Sequence, residues 1–415
     1  MEEHNINVKL GDYILDIAAG PFGSNLKVDC FIQRGFPIID GANLKSYKVT
    51  DNITKFVTEE KARSLYRSIA KRNDVIVTIS GNVGQISYIP IESQYEEYLV
   101  SQRQFRVTFD TERVYVPYLV YYFHTREGQH KILSFANQTG VPALAQPLKN
   151  FRNIDISLPD IETQRRIANV IESLDNKIEL NNRINHNLEE QAQALYKSWF
   201  VDFEPFKGGK FVDSELGMIP EGWSVQKAEE LCEINIGKTP PRKDHHWFSN
   251  NNSDVTWISI SDMGSSEVYI SKSSEMLTKE ACKKFNVIIV PEGTVLLSFK
   301  LTVGRVSIAA KELTTNEAIA RFLVPTDAMR SYLYLALKSY DYSKLGSTSS
   351  IATAVNSKII KKMALICPPE DIIEKFGVHV SGIFRSIKTF QEEISCLCEQ
   401  RDSLLPHLMS GEITC

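Results

Sequence analysis

The sequence predicts an α+β protein: two similar mixed α/β domains joined by two long antiparallel coiled-coil helices, a pseudo-two-fold internal duplication. Three observations carry this expectation. The run Asn73 to Ser87, with Val75-Ile76-Val77-Thr78-Ile79 and Gly84, returns as Glu292 to Ser307, with Val295-Leu296-Leu297 and Gly304. Aligning Gly84 with Gly304 sets an offset of 220 residues, far longer than the roughly 20–50 residues of a stacked solenoid repeat. Each half then passes from a β-rich stretch into a long amphipathic helix. Ser101-Gln102 matches Thr315-Asn316, and Leu158-Pro159 matches Cys367-Pro368 just ahead of the helices.

The first globular segment is expected at 1–157. Val75–Ile79 and Phe105–Phe109 are β-branched and aromatic runs bounded by turn residues, while Glu59–Arg63 and Tyr118–Phe123 read as helices. A central helical segment follows at 158–204. Ile167, Ile171, Leu174, Ile178, Asn181, Asn185, Leu188, Ala192, Leu195 and Trp199 alternate four-three, the seam of a helix packed lengthwise on another. Asn181 and Asn185 sit mid-seam, where a buried amide costs stability but fixes register. The aromatic stretch Trp199 to Phe206 and Gly208-Gly209 end that helix.

The second globular segment spans 205–367 and the last helix 368–415. Its seam is Ile373, Phe376, Val380, Ile383, Ile387, Phe390, Ile394, Leu397, Arg401 and Leu404, with Arg401 the sole charge. Neither helix has a partner in its own half, so antiparallel pairing with each other is the economical solution. Some 40 residues make a rod of about 60 Å.

Composition narrows the function classes. At 415 residues each globular segment can bury its own core. No stretch approaches the roughly 18 apolar residues of a membrane span, and the acidic start Met1-Glu2-Glu3-His4 is unlike a signal peptide. Seven scattered cysteines form no Cys-x-x-Cys pair, which points to reduced, cytoplasmic thiols. The net charge of −4 divides unevenly. Residues 1–157 hold 18 Lys+Arg against 17 Asp+Glu and residues 205–367 hold 20 against 17, whereas the helical segments hold 5 against 9 and 4 against 8. The globular parts are thus slightly basic.

Enzyme motifs are missing. Gly237-Lys238-Thr239 has Cys232 where a phosphate loop needs glycine, and Pro240-Pro241 cannot open the helix that must follow. His245-His246 are adjacent, so their side chains diverge, and no ligand cluster accompanies them. Gly81-Asn82-Val83-Gly84 lacks dinucleotide spacing and reads as a bend in a sheet. There is no Asn-Pro-Pro-Tyr/Phe methyltransferase motif, nuclease cluster or helicase motif, so the chain is expected to be noncatalytic and to hold no metal.

Several stretches resemble the specificity subunits of type I restriction-modification systems. Leu158–Ala168, Leu174–Asn181, Gln193–Phe203 and Gly217–Trp223 resemble the family's central region. Gly20–Lys27, and Gly237–Lys243 with Trp247 and Trp257–Met263, resemble openings of its variable halves; Leu408–Ile413 resembles its end. The resemblance covers nearly the whole chain. It implies two target-recognition domains, each reading one half of a bipartite site in double-stranded DNA. It implies helices that set the spacing and dock two modification (methyltransferase) subunits carrying S-adenosylmethionine, and separate restriction/motor subunits using ATP and Mg. The chain itself would need no cofactor. A free-standing bipartite DNA-binding regulator is the alternative, and a self-contained modification-restriction enzyme lacks its motifs.

Base edges are read by Arg, Lys, Asn and Gln at fixed positions. The candidate DNA contacts are Lys27, Arg34, Asn43, Lys45, Gln102 and Arg103 in the first domain, and Arg242, Lys243, Lys300, Arg305 and Asn316 in the second. They flank turns and strand ends, although each could equally be a solvated charge or a fold-holding bond. Trp199, Phe200 and Phe203 either cap the helical pair against the second domain or present a partner-binding surface.

Overall fold

The computed structural model describes residues 8–137, 141–265, 268–345 and 355–413. Met1-Glu2-Glu3-His4 and Cys415 lie outside them. The chain forms two compact units, residues 1–176 with 397–415, and residues 177–396. The long helices are Ile161–Phe200 and Glu370–Ser410. Each unit therefore takes one stretch of each helix.

In the first unit an antiparallel sheet runs in the order Ile14–Ala19, Gln104–Phe109, Val75–Thr78, Ile86–Tyr88. Val75, Ile76, Val77 and Thr78 are all buried, so this strand is covered on both faces and shows no alternation. A second sheet orders Phe56–Val57, Phe36–Ile39, Glu97–Val100 and Ile69–Lys71, with Ile38 and Leu99 paired in parallel. The expected helices form as Glu59–Ser64 and Val116–His124.

The second unit repeats this plan. Its main sheet runs Glu233–Ile236, Ile319–Leu323, Val295–Ser298, Val306–Ala309, Tyr269–Ile270. A second sheet again contains a parallel pair, Trp257 with Thr314. The 220-residue offset holds in local geometry. Thr58 caps one helix by accepting from Lys61 N–H, and Thr278 caps another by accepting from Ala281 N–H. Left-handed backbone recurs at the same offset: Asn73 and Gly293 (φ 69° and 86°), Gly81 and Leu301 (91° and 60°), Gly84 and Gly304 (88° and 93°). One of the six is a leucine, where such a conformation is strained.

Both units carry a buried arginine on the matching central strand. Arg106 donates to Arg67 O and pairs with Asp16 at 2.6 Å. Arg321 donates to Ile288 O and Ile236 O, and burial brings its pKa down to about 10. These two guanidinium groups tie strands together.

The long helices pack as antiparallel neighbours within each unit. In the first, Ile167, Ala168 and Ile171 share a core with Leu405 and Leu408, and Asp175 meets Arg401 at 2.9 Å. In the second, Ala192, Tyr196 and Phe200 share a core with Ile373, Phe376, Val380 and Phe384. Fully buried Asn181 donates to Glu393 Oε2 at 2.8 Å, while its own Oδ1 has no hydrogen-bond partner among the described residues. Tyr196, Phe200, Phe384 and Leu405 lie off the heptad seam, because each helix also buries a face against the globular part of its unit.

Phe200 is 1% exposed and meets Phe376, Tyr332 and Trp223 at ring-centroid distances of 4.8, 4.9 and 5.7 Å. Trp199 packs on Phe206 and Phe376, and Phe203 on Phe211 and Trp223. The partner-binding assignment is corrected for Phe200. Its ring is used up inside the second unit's core, and all three aromatics take the packing role.

Candidate nucleic-acid interface

In the first unit the strands Phe36–Ile39, Val75–Thr78 and Glu97–Val100 release their loops around one cleft of about 550 Å³. Its floor is a hydrogen-bonded polar network. Gln104, only 2% exposed, donates to Thr78 Oγ1, accepts from Ser101 Oγ, and is thereby fixed in orientation. Thr78 Oγ1 in turn donates to Gln85 Oε1 at 3.2 Å. On one wall Lys55 is neutralised by Asp40 at 2.5 Å.

The rim is different. Gln102 and Arg103 are exposed, and among the described residues neither side chain has a hydrogen bond or ion pair. Their backbone is held: Arg103 O accepts from Ile79 N–H, and Gly20 lies so close to Ser101 O that an added Cβ would sit 1.9 Å from it. Asn82, in the loop beside them, is also exposed. A guanidinium and two carboxamides on rigid turns, aimed away from the core, are the groups that read base edges.

The structure separates the remaining candidates of this unit. Lys27 is exposed between cleft residues Leu26 and Val28. Arg34 and Lys45 are exposed but do not line the cleft. Asn43 is corrected: it is 5% exposed, accepts from Asp40 N–H, and donates to Thr50 O and Asn52 O, so it holds a turn and has no donor to spare.

In the second unit the matched turns carry other chemistry. Gly237 approaches Asn316 O so closely that a Cβ would lie 2.0 Å away, which explains this glycine without a phosphate. Asn316 caps its own turn through Ala318 N–H. The next residue is Glu317, which accepts from Thr239 Oγ1, where the first unit has Gln102; Ala318 O, accepting from Phe299 N–H, takes the place of Arg103 O. Two assignments are corrected. Arg242 lies 4.2 Å over Phe248 and 4.6 Å over Trp257 and pairs with Glu275 at 2.7 Å, so aromatic stacking and a carboxylate hold it to the fold. Arg305 donates to Ile260 O at 2.6 Å and braces the turn that ends at Asp262. Burial opposes the charge of Asp262, but Ser259 Oγ, Ser259 N–H and Ser274 N–H donate to it and keep its pKa below the usual carboxylate value. Lys243 and Lys300 remain exposed, and among the described residues neither makes an ion pair.

Sequence reasoning missed Asn82, Leu301 and Glu317. The repeat offset was a usable signal for the first two, since it equates Gly81-Asn82 with Leu301-Thr302. No three His, Cys, Asp or Glu side chains converge as a metal site among the described residues, His245 and His246 included. No described helix is long and apolar enough to cross a membrane.

Three comparisons bear on this arrangement. The family profile for the type I restriction modification DNA specificity domain matches residues 30–190 and again 220–394. The Type I restriction enzyme HindI specificity subunit of Haemophilus influenzae is 26% identical over 394 residues, spanning 80% of this chain and 84% of that protein. The Type I restriction enzyme MjaIX specificity subunit of Methanocaldococcus jannaschii is 25% identical over 369 residues, spanning 86% and 81%. Among solved structures, the S subunit of a type I restriction-modification system from M. genitalium superposes with a TM-score of 0.55 at 12% identity, covering 98% of this chain and 96% of that one. At that identity the likeness is one of fold.

Proposed function

The chain belongs to the type I restriction-modification DNA specificity family, and from that premise we propose how its two units divide the work. It is a specificity subunit with two recognition domains, a noncatalytic component of a DNA restriction-modification complex. Each unit reads one half of a bipartite site. The long helices set the spacing between halves and dock two methyltransferase subunits, which carry S-adenosylmethionine. Restriction subunits with ATP and Mg complete the assembly.

The supporting observation is the pair of matched frames with unmatched loop chemistry. The same strands and the same left-handed turns occur twice, yet Gln102 and Arg103 of one stand where Glu317 and Ala318 stand in the other. A duplicated scaffold with divergent rims suits a target whose halves differ in sequence. Phosphate contacts position such a reader and base contacts give it specificity.

Methylation mapping of cells that express the chain with its modification subunits tests this. The wild type is expected to give one bipartite motif. R103A should relax one position within one half, at a cost of about 1–3 kcal/mol against the correct base, and leave the other half unchanged. Relaxation of both halves together, or an unaltered motif, would show that Arg103 does not read a base in an independent domain.

A further inference from the structure

The second unit presents a side chain that neither folding nor solubility explains. Leu301 is 100% exposed and stands at φ 60°. An L-residue with a branched side chain is strained in that conformation, and water contact around an entire leucine is unfavourable. At the matched position of the first unit the residue is Gly81, for which the same backbone costs little. Local strain of this kind is a sign of function when the surroundings enforce it.

The surroundings do enforce it. Thr302 N–H donates to Lys300 O at 2.6 Å, closing a three-residue turn with Leu301 at its apex. Ser298, fully buried, donates its hydroxyl to Thr302 O at 2.6 Å and accepts from Arg305 N–H at 3.0 Å. Gly304 N–H returns to Ser298 O, and Phe299, 1% exposed, roots the loop in the core. The result is a rigid finger whose tip is aliphatic, with the exposed ammonium of Lys300 beside it. An apolar tip next to a cation matches a duplex, where a base stack lies beside phosphate.

We propose that Leu301 is an apolar wedge that enters the base stack of the half-site read by the second unit, with Lys300 on the neighbouring phosphate. The inference rests on the reading of that unit as a DNA recognition domain, and it adds the contact by which this half differs from the other. Wedges of this kind unstack a base step and kink the duplex, so that the bent DNA meets more of the protein surface. The first unit, with glycine at the same place, has no such wedge and relies on its polar rim.

The test uses the full chain with its methyltransferase subunits and duplexes that carry the mapped site, with 2-aminopurine at successive positions of each half. The wild-type complex should raise fluorescence at one step of one half. L301G should abolish that rise and weaken binding at least about tenfold, the worth of burying one leucine. Its thermal midpoint should be no lower than the wild type's, because glycine suits the turn. The slope of log affinity against log salt should stay unchanged in L301G but fall by about one in K300A, since only the lysine releases a counterion. A normally methylating wild-type complex with no fluorescence rise, or an L301G complex that binds and fluoresces like wild type, overturns the wedge alone. A wild-type complex that methylates no bipartite site overturns the recognition reading and the wedge with it.

Discussion

Arg401 is the one charge in the C-terminal helix seam, and R401A is the sharpest test of how the first unit is held together. Its Nη1 lies 2.9 Å from Asp175 Oδ1, with side chains only 18% and 15% exposed. The guanidinium carbon sits 5.3 Å from the Tyr47 ring centroid, and Tyr121 donates to the other oxygen of Asp175 at 2.9 Å. Burial works against the arginine's charge, but Asp175 and Asp402 outweigh it, so its pKa is raised. Removing one member of a fully buried pair costs about 3–5 kcal/mol. Here residual exposure lowers that, and the lost contact with Tyr47 adds about 0.5–1 kcal/mol. The expected loss is about 2–3 kcal/mol, a fall of roughly 4–12 °C in the unfolding transition for a unit of this size. Scanning calorimetry of the full chain measures it. The double variant R401A/D175N should recover part of the loss, because no orphaned carboxylate remains for Tyr121 alone to satisfy. A change within about 0.5 kcal/mol, or strictly additive single variants, would mean that water already screens the pair.

Two further outcomes follow from buried polar groups. His124 stacks on Tyr47 at 4.5 Å and touches Ile86 O at 2.8 Å; burial first, and then the Arg401 charge, depress its pKa below 6.5. Above pH 6.5 the ring is neutral folded or unfolded. Below it the unfolded chain takes up a proton that the folded ring resists, so stability falls with pH, by at most about 1.4 kcal/mol per unit. H124Q should flatten this difference in denaturation curves between pH 7 and 5, and an unchanged slope would place the effect elsewhere. N181L removes a carbonyl oxygen buried without a partner and should stabilise the second unit by about 1 kcal/mol, since Glu393 keeps Lys177 at 3.5 Å. A loss of that size in urea titrations would show that the amide's bond to Glu393 matters more.

The duplication, the strands and both long helices were legible in the sequence because each is written in local spacing. A strand buried on both faces needs a continuous apolar run, as at Val75–Thr78. A helix pair needs a four-three seam, as from Ile167 to Trp199. Left-handed turns favour glycine, as at Gly84 and Gly304. Covalent geometry fixes these periods, so residue types alone reveal them. Even the polar positions Asn181 and Arg401 stood out as breaks in an apolar pattern.

Which polar side chains are free to meet DNA was decided elsewhere. Arg242 and Arg103 look alike in sequence, yet one is held by Phe248, Trp257 and Glu275 and the other projects from a cleft rim. Asn43 is consumed by carbonyls seven and nine residues away, and Arg305 by one 45 residues away. Nothing in the local pattern marks Leu301 as strained, because leucine in an apolar run normally signals core. A side chain's availability depends on which distant groups the fold brings within hydrogen-bond reach. The amino-acid sequence therefore settled the scaffold and its repetition, while tertiary contacts alone sorted the structural cations and amides from those left to recognise a ligand.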